Sequence, residues 1–323
     1  MAQVLVIFSP EVLLSLLLCF LVFFREEGRN ELFRELIAAN VAAIGGFNLE
    51  DYFPSLAKVG LLRRVVLART CRLKKRWDEL LDKIIDDHAT KSPWLVGGVH
   101  HQHDEQDQDR DLVDILLSLQ HEYNLTRDNV KVILMDMFAA GTDTSSIVLE
   151  FAMAELMRKS HLMAKLQAEV RSKTPKSQKT VKEDDLSGMP YLKAVVKETL
   201  RLHPPAPLLL RHPSGPPDTE SWGEKAEEFW PERFMDGAKA AADFKGRDFQ
   251  FLPFGAGRRI CPGMGFGLVT VEIMLANLVY CFDWELPDGM REEDVDMADM
   301  FGVTMRRKEK LVLVPRIPQD ANI

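Results

Sequence analysis

The sequence predicts a mainly α-helical fold with little β-structure. Apolar residues recur at a spacing near 3.6 over Asn30–Ala43, Leu61–His88, Leu112–Tyr123, Asp128–Lys159, Leu162–Ser172 and Tyr191–His203. A further apolar helix is predicted over Phe266–Phe282, and the clearest strand signal is the short run KLVLVP at Lys310–Pro315. The segment Asp128–Lys159 is the longest, about 48 Å if continuous at 1.5 Å per residue. It is the predicted central element.

With 323 residues, 46% hydrophobic and 28% charged, the chain has enough material for one large domain or two ordinary ones. Lys plus Arg is 41 against Asp plus Glu 49, a net charge of -8. That balance argues against nucleic acid as a partner, because phosphates demand a basic face. The cysteines are Cys19, Cys71, Cys261 and Cys281, with no C-x-x-C pair and no histidine at zinc-ligand spacing. So sparse a set points to a reducing compartment rather than a disulfide framework. Cys19, Cys71 and Cys281 read as small buried apolar residues.

Val12–Phe24 is apolar apart from Ser15, and Val4–Ser9 extends it backwards across Pro10 and Glu11. A bilayer span needs about 20 such residues. No Lys or Arg precedes Arg25, and no small-residue cleavage site follows, so an uncleaved anchor over 1–25 is preferred to a signal peptide or a core helix. The body of the chain is then 26–323. Within it, His100–Asp111 (HHQHDEQDQDRD) is a polar run expected to be a solvated loop, and HPSGPPDTESWGEK (212–225) forms a second break.

Phe251–Gly263 reads FLPFGAGRRICPG. Phe254, Gly257, Arg259, Cys261 and Gly263 fit F-x-x-G-x-R-x-C-x-G, a coincidence on the order of once in ten million start positions at average residue usage. A cysteine thiolate is a soft, electron-rich axial ligand for haem iron. It needs donors and positive potential around the sulfur. Gly255, Gly257 and Gly263 let the backbone turn tightly and bring N–H groups close, and a helix starting near Pro262 adds its positive end. Arg259 suits a haem propionate, and Phe254 can pack against sulfur and porphyrin. The plainer reading is a glycine-rich turn with a buried free cysteine.

Ala139–Ser145 (AAGTDTS) lies mid-way along the long helix. Alone, it is a helix with a weak centre, since Ser and Thr hydroxyls can bond back to earlier carbonyls. Beside the Cys261 loop it reads differently. Small residues admit porphyrin and dioxygen, Thr144 can hold dioxygen by a hydrogen bond, and Asp143 can feed protons from solvent. Glu198 and Arg201 stand three apart in KETLRLHPP, and Arg233 in FWPERF offers a third partner. An isolated pair at that spacing is usually weak and exposed. A carboxylate between two guanidiniums is a way to bury charge, and these residues are assigned a scaffold role.

AGTDTS, ETLR, PERF and FGAGRRICPG, in that order, resemble the second half of a plant microsomal cytochrome P450. The surrounding text resembles family 71, and within it grass members acting on indole-derived defence compounds. The resemblance covers about residues 31–211 and 221–317 and the anchor. It implies a truncated cytochrome P450 fold, with a long central helix, the later helices of that fold, the haem-ligand loop and little β. It implies haem b bound by Cys261 and insertion of one oxygen atom from O2 into a small apolar metabolite. NADPH-derived electrons would arrive through an NADPH–cytochrome P450 reductase in the endoplasmic reticulum membrane, with the catalytic part cytoplasmic. Phe138, Ala139, Leu208 and Val303 are the implied pocket residues. Two family pieces are absent: the early helices with a W-x-x-x-R haem contact, which neither Trp77 nor Trp94 supplies, and an extended segment between Arg211 and Trp222. The alternative is therefore a catalytically silent truncated member, a splice form or mis-joined gene model, that at most binds haem.

Overall fold

The computed structural model describes residues 6–8, 29–44, 53, 60–91, 111–206, 219–235, 239–300 and 302–318. It is mainly helical, as the sequence predicts. In chain order the elements are β1 (Val6–Phe8), α1 (Arg29–Ile44), α2 (Gly60–Lys91), α3 (Leu112–Ser118), α4 (Arg127–Arg158), α5 (Ser160–Lys173), α6 (Pro190–Leu202) and α7 (Thr219–Trp222). After them come α8 (Met264–Cys281), β2 (Asp283–Glu285), β3 (Asp299–Met300), β4 (Arg306–Arg307) and β5 (Leu311–Arg316). The chain divides into two compact units, Glu31–Ala140 and Met1–Asn30 with Gly141–Ile323.

In the unit Glu31–Ala140, the second half of α2 supplies the apolar stripe that the 3.6 period predicts. Trp77, Leu80, Leu81, Ile84 and Ile85 are all buried, at i, i+3, i+4, i+7 and i+8 on one helix face. The first half is different, with Val66 41% and Leu67 50% exposed. Cys71 is exposed too, which corrects its reading as a buried apolar residue: it lies off the stripe, among exposed Arg69, Thr70 and Arg72. The predicted helix Leu112–Tyr123 stops at Ser118. The chain turns instead, and Asn124 takes a φ of 50°, the left-handed conformation that asparagine tolerates. α4 starts where predicted because Thr126 and Asn129 cap it reciprocally: Asn129 N–H donates to Thr126 Oγ1 at 3.2 Å, and Thr126 N–H to Asn129 Oδ1 at 2.9 Å.

In the other unit, α8 packs against α5, α6 and the 3-10 turn Glu183–Gly188, while α6 carries the 3-10 turn Pro231–Phe234 on its flank. Leu166, Val170, Leu192, Val195, Leu275 and Ala276 are fully buried between the helices. Buried Asn277 closes a gap that apolar packing leaves. Its Oδ1 accepts from Val181 N–H at 2.9 Å and its Nδ2 donates to Val181 O at 3.1 Å, as a neighbouring strand would. β5, within the predicted strand region, is central in an antiparallel sheet of order β1-β5-β2. β1 pairs Val6 with Leu313, although the sequence reading joins Val6–Phe8 to the apolar N-terminal stretch. Val12–Phe24, Cys19 and residues 101–110 lie outside the described residues.

His88 ties α2 to α3. Its Nε2 lies 2.8 Å from Asp111 Oδ2 and its Nδ1 lies 2.7 Å from Ile84 O, an arrangement both ring nitrogens satisfy as donors only when charged. The Asp111 hydrogen bond raises His88 above the usual histidine range, against the opposing effect of burial. Burial pushes Asp111 up, but the His88 bond and backbone donors outweigh it and hold the carboxyl below its usual value. A raised histidine stabilises fully below its unfolded value, about 6.5, and is lost as pH rises through the folded one. A lowered aspartate stabilises above about 3.9 and is lost as pH falls. The urea-midpoint difference between wild type and His88→Gln is therefore expected to be largest between about pH 4 and 6.5 and to shrink above that range.

Candidate active site

The Cys261 loop is shaped by glycines where left-handed backbone is required. Gly255 has φ 78° and Gly257 φ 67°, which a side chain adopts only with strain. Gly255 N–H donates to Leu252 O at 3.0 Å, Ile260 N–H to Gly257 O at 3.2 Å, and Cys261 N–H to Phe254 O at 2.9 Å. These bonds fold the loop back so that Cys261 precedes α8, whose N-cap is Gly263. Cys261 is free and half-buried. A Cβ on Gly263 would lie 4.0 Å from its sulfur, so the helix start and the thiol are in close register. The positive end of α8 thus faces the sulfur's neighbourhood.

One residue that holds this loop escaped sequence reasoning. Gly246 has φ 71°, and a Cβ there would stand 2.9 Å from both Ala256 Cα and Gly255 O. Its backbone presses on the loop. A single glycine in KGRD carries no periodic signal, so only the folded chain exposes its role.

Glu198, Arg201 and Arg233 meet as the sequence suggests. Arg201 donates to both Glu198 oxygens, at 2.7 and 2.9 Å, and Arg233 Nε donates to Oε1 at 3.0 Å. The side chains are 0%, 2% and 4% exposed respectively. Arg201 also donates to Ala226 O, and Arg233 to Trp222 O, so their remaining N–H groups bind loop carbonyls. Trp222 lies beneath both guanidiniums, at 5.0 and 5.9 Å from its ring centroid. From Trp222 a chain of rings leads through Phe251 (6.1 Å) and Phe244 (5.4 Å) to Phe254 (5.5 Å) in the Cys261 loop. The ion cluster therefore braces the loop through aromatic packing.

On α4, Asp143 is buried, with 4% of its side chain exposed. Arg306 Nη2 lies 2.5 Å from Oδ1 and Thr304 Oγ1 donates to Oδ2 at 2.9 Å. Neither partner is evident from sequence. Thr144 is half-buried beside it, and Ser146 Oγ donates to Asp143 O at 2.8 Å. Over Gly141 a Cβ would meet nothing within 4 Å, so the helix surface there is open to an incoming group. Val303 is half-buried in the turn before β4. Phe138 packs edge-on to Phe33 at 5.1 Å in the core of the unit Glu31–Ala140, where Ala139 is half-buried. Leu208 lies outside the described residues.

These residues fit haem. The ligand atom is an unbonded, half-buried sulfur at a helix start. Arg259 is exposed and makes no ion pair among the described residues, which leaves its guanidinium for a propionate. Apolar side chains at the start of α8 stay accessible, Phe266 being 50% exposed, and a porphyrin face suits such a surface. The family model described as Cytochrome P450 matches residues 9–215 and 217–314. The chain belongs to the cytochrome P450 family. That membership implies haem with a cysteine thiolate on iron. The P450 chain is 53% identical over 317 residues to an indole-2-monooxygenase of Zea mays, a match covering 91% of this chain and 57% of that protein. It is 49% identical over 321 residues to a 3-hydroxyindolin-2-one monooxygenase of Zea mays, covering 91% and 58%. To Cytochrome P450 71A1 of Persea americana it is 42% identical over 321 residues, covering 90% and 61%. The chain thus spans less than two thirds of the length of these relatives.

Removing one member of a buried ion cluster leaves unpaired charge, at a loss of about 3–5 kcal/mol. Glu198→Ala is expected to show that loss in urea unfolding, with Arg201 and Arg233 left facing each other. Gly246→Ala, which adds a methyl group at positive φ against backbone, is expected to lose about 1 kcal/mol or more in the same measurement.

Proposed function

We propose that this P450 is a haem-thiolate monooxygenase of a small, apolar, indole-derived metabolite. The observation that carries the reading is the free Cys261 sulfur in its glycine-shaped loop at the start of α8. Haem, when bound, supplies dioxygen binding and O–O cleavage, which electron donation from a thiolate favours. The chain's own residues have separate tasks. Cys261 would ligate iron, Arg259 would meet a propionate, Phe254 would limit water at the sulfur, and Gly255, Gly257 and Gly263 let the backbone turn tightly and bring N–H groups close to it. Thr144 orients dioxygen, and Asp143 passes protons toward it. The residues that the resemblance assigns to the substrate are Phe138, Ala139, Leu208 and Val303.

The substrate class rests on relatives named for indole and indolinone oxidation. Such rings are flat and apolar with one N–H, so a largely apolar pocket suits them. Electrons would come from NADPH through an NADPH–cytochrome P450 reductase. The apolar stretch Val12–Phe24 supports a membrane anchor at the endoplasmic reticulum, with the catalytic part in the cytoplasm. α4 and α8 are also long and apolar enough to cross a membrane, but each buries several residues in the protein core.

The second reading, a chain that binds haem without turning over, is motivated by the 57% share of the indole-2-monooxygenase that the match covers. The two readings separate in one experiment. Membranes carrying the chain are expected to show the red-shifted Soret band of a reduced, carbon-monoxide-bound thiolate haem, and Cys261→Ser to abolish it. With reductase, NADPH and indole, oxygenated product supports the monooxygenase. The band without product supports the silent member, and no band in the wild type removes Cys261 as ligand.

A further inference from the structure

The Asp143 carboxylate is engaged by two side chains that its role as proton donor does not require. Arg306 reaches Oδ1 at 2.5 Å and the Thr304 hydroxyl reaches Oδ2 at 2.9 Å. Asp143 is almost wholly buried and the Arg306 side chain is 23% exposed, so the arginine is the more solvent-accessible member of the pair. Both partners belong to one short segment, the turn 302–304 and the first residue of β4. That segment is itself fixed. A Cβ on Gly302 would stand 3.0 Å from Thr304 O, Met305 N–H donates to Pro205 O at 2.9 Å, and β4 pairs with β3. The chain meets α4 again two turns on, where Arg307 of β4 lies 3.7 Å from Glu150 and the N–H of Leu311, at the start of β5, lies 3.4 Å from its Oε1.

A carboxylate accepting at both oxygens, one of them from a cation, is aimed at its partners. Asp143 has only χ1 and χ2 with which to re-aim. To take a proton from solvent and hand it on by way of Thr144, it must leave at least one of these contacts. Val303, the pocket residue of that turn, stands next to Thr304 in the chain, so whatever shifts the turn shifts the clamp.

We propose that Arg306 and Thr304 are positioning residues that clamp the Asp143 carboxylate and tie its release to the turn bearing Val303. This rests on the reading of Asp143 as the proton donor. The proton count closes: the released carboxylate takes one proton from solvent and gives it to Thr144 Oγ1, which hands on its own hydroxyl proton, so both side chains end as they began.

The test uses the full chain with haem, reductase, NADPH and indole, and the variants Arg306→Gln, Arg306→Lys, Thr304→Val and Asp143→Asn. Arg306→Gln is expected to lower product formed per NADPH about tenfold, with hydrogen peroxide rising to match. That is part of the roughly 10²–10⁴-fold that a positioned proton donor contributes. The solvent isotope effect on kcat should change while KM for indole stays within about twofold. Arg306→Lys, which keeps the charge, should restore most of the coupling, and Thr304→Val should fall between. Independently of turnover, urea unfolding should show the Asp143→Asn and Arg306→Gln losses to be strongly non-additive in the double variant. Additive losses, or an unchanged peroxide share in Arg306→Gln with the thiolate band intact, would overturn the clamp. A wild-type chain without that band would instead overturn the monooxygenase reading, and the positioning role with it.

Discussion

Glu198 sits in the protein interior with a guanidinium on either side and no solvent to share its charge. Such a carboxylate is tolerable only if both oxygens are saturated, and here Arg201, Arg233 and the Trp230 N–H do that together. The two arginines then have spare donors, which they spend on carbonyls of 222–228. An otherwise irregular stretch is thereby folded onto α6. That docking supports one side of the ligand loop, because Trp222 is the first ring of the series that ends at Phe254.

The cysteine loop and the central helix contribute opposite qualities to the site. Around Cys261, positive φ at Gly255 and Gly257 sets the path of the backbone, and each position rejects a side chain. Around Asp143 the helix is continuous, and the chemistry lies in what its carboxylate is offered by β4 and the turn before it. Rigid backbone suits a ligand that must keep one geometry. Exchangeable side-chain contacts suit the proton-donor role proposed for Asp143.

Much of this was written locally in the sequence. The helices follow from apolar spacing, which is why α4, α6 and α8 begin and end within a few residues of expectation. The Cys261 loop and the Glu198 cluster were legible because residue type and short spacing carry the chemistry. What was hidden depended on distance along the chain. Arg306 and Thr304 lie more than 160 positions from Asp143, and an arginine in MRRKEK looks like any solvated cation. Cys71 misled for a related reason: cysteine is apolar on average, but helical phase put it on an exposed face. The helix predicted over Leu112–Tyr123 stopped at Ser118, where the chain enters a turn that apolar periodicity does not signal.

Among its described residues, the segment from Trp222 to Gly263 contains only isolated turns and the end of one short helix before α8 begins. Its shape is maintained by aromatic rings and one close glycine contact, with few ladder bonds between main-chain groups. Deuterium uptake and side-chain order should consequently diverge here: amide protons exchange fast, because little backbone pairing shields them, while the phenyl and indole rings stay immobile. A region can be loose by the one measure and fixed by the other.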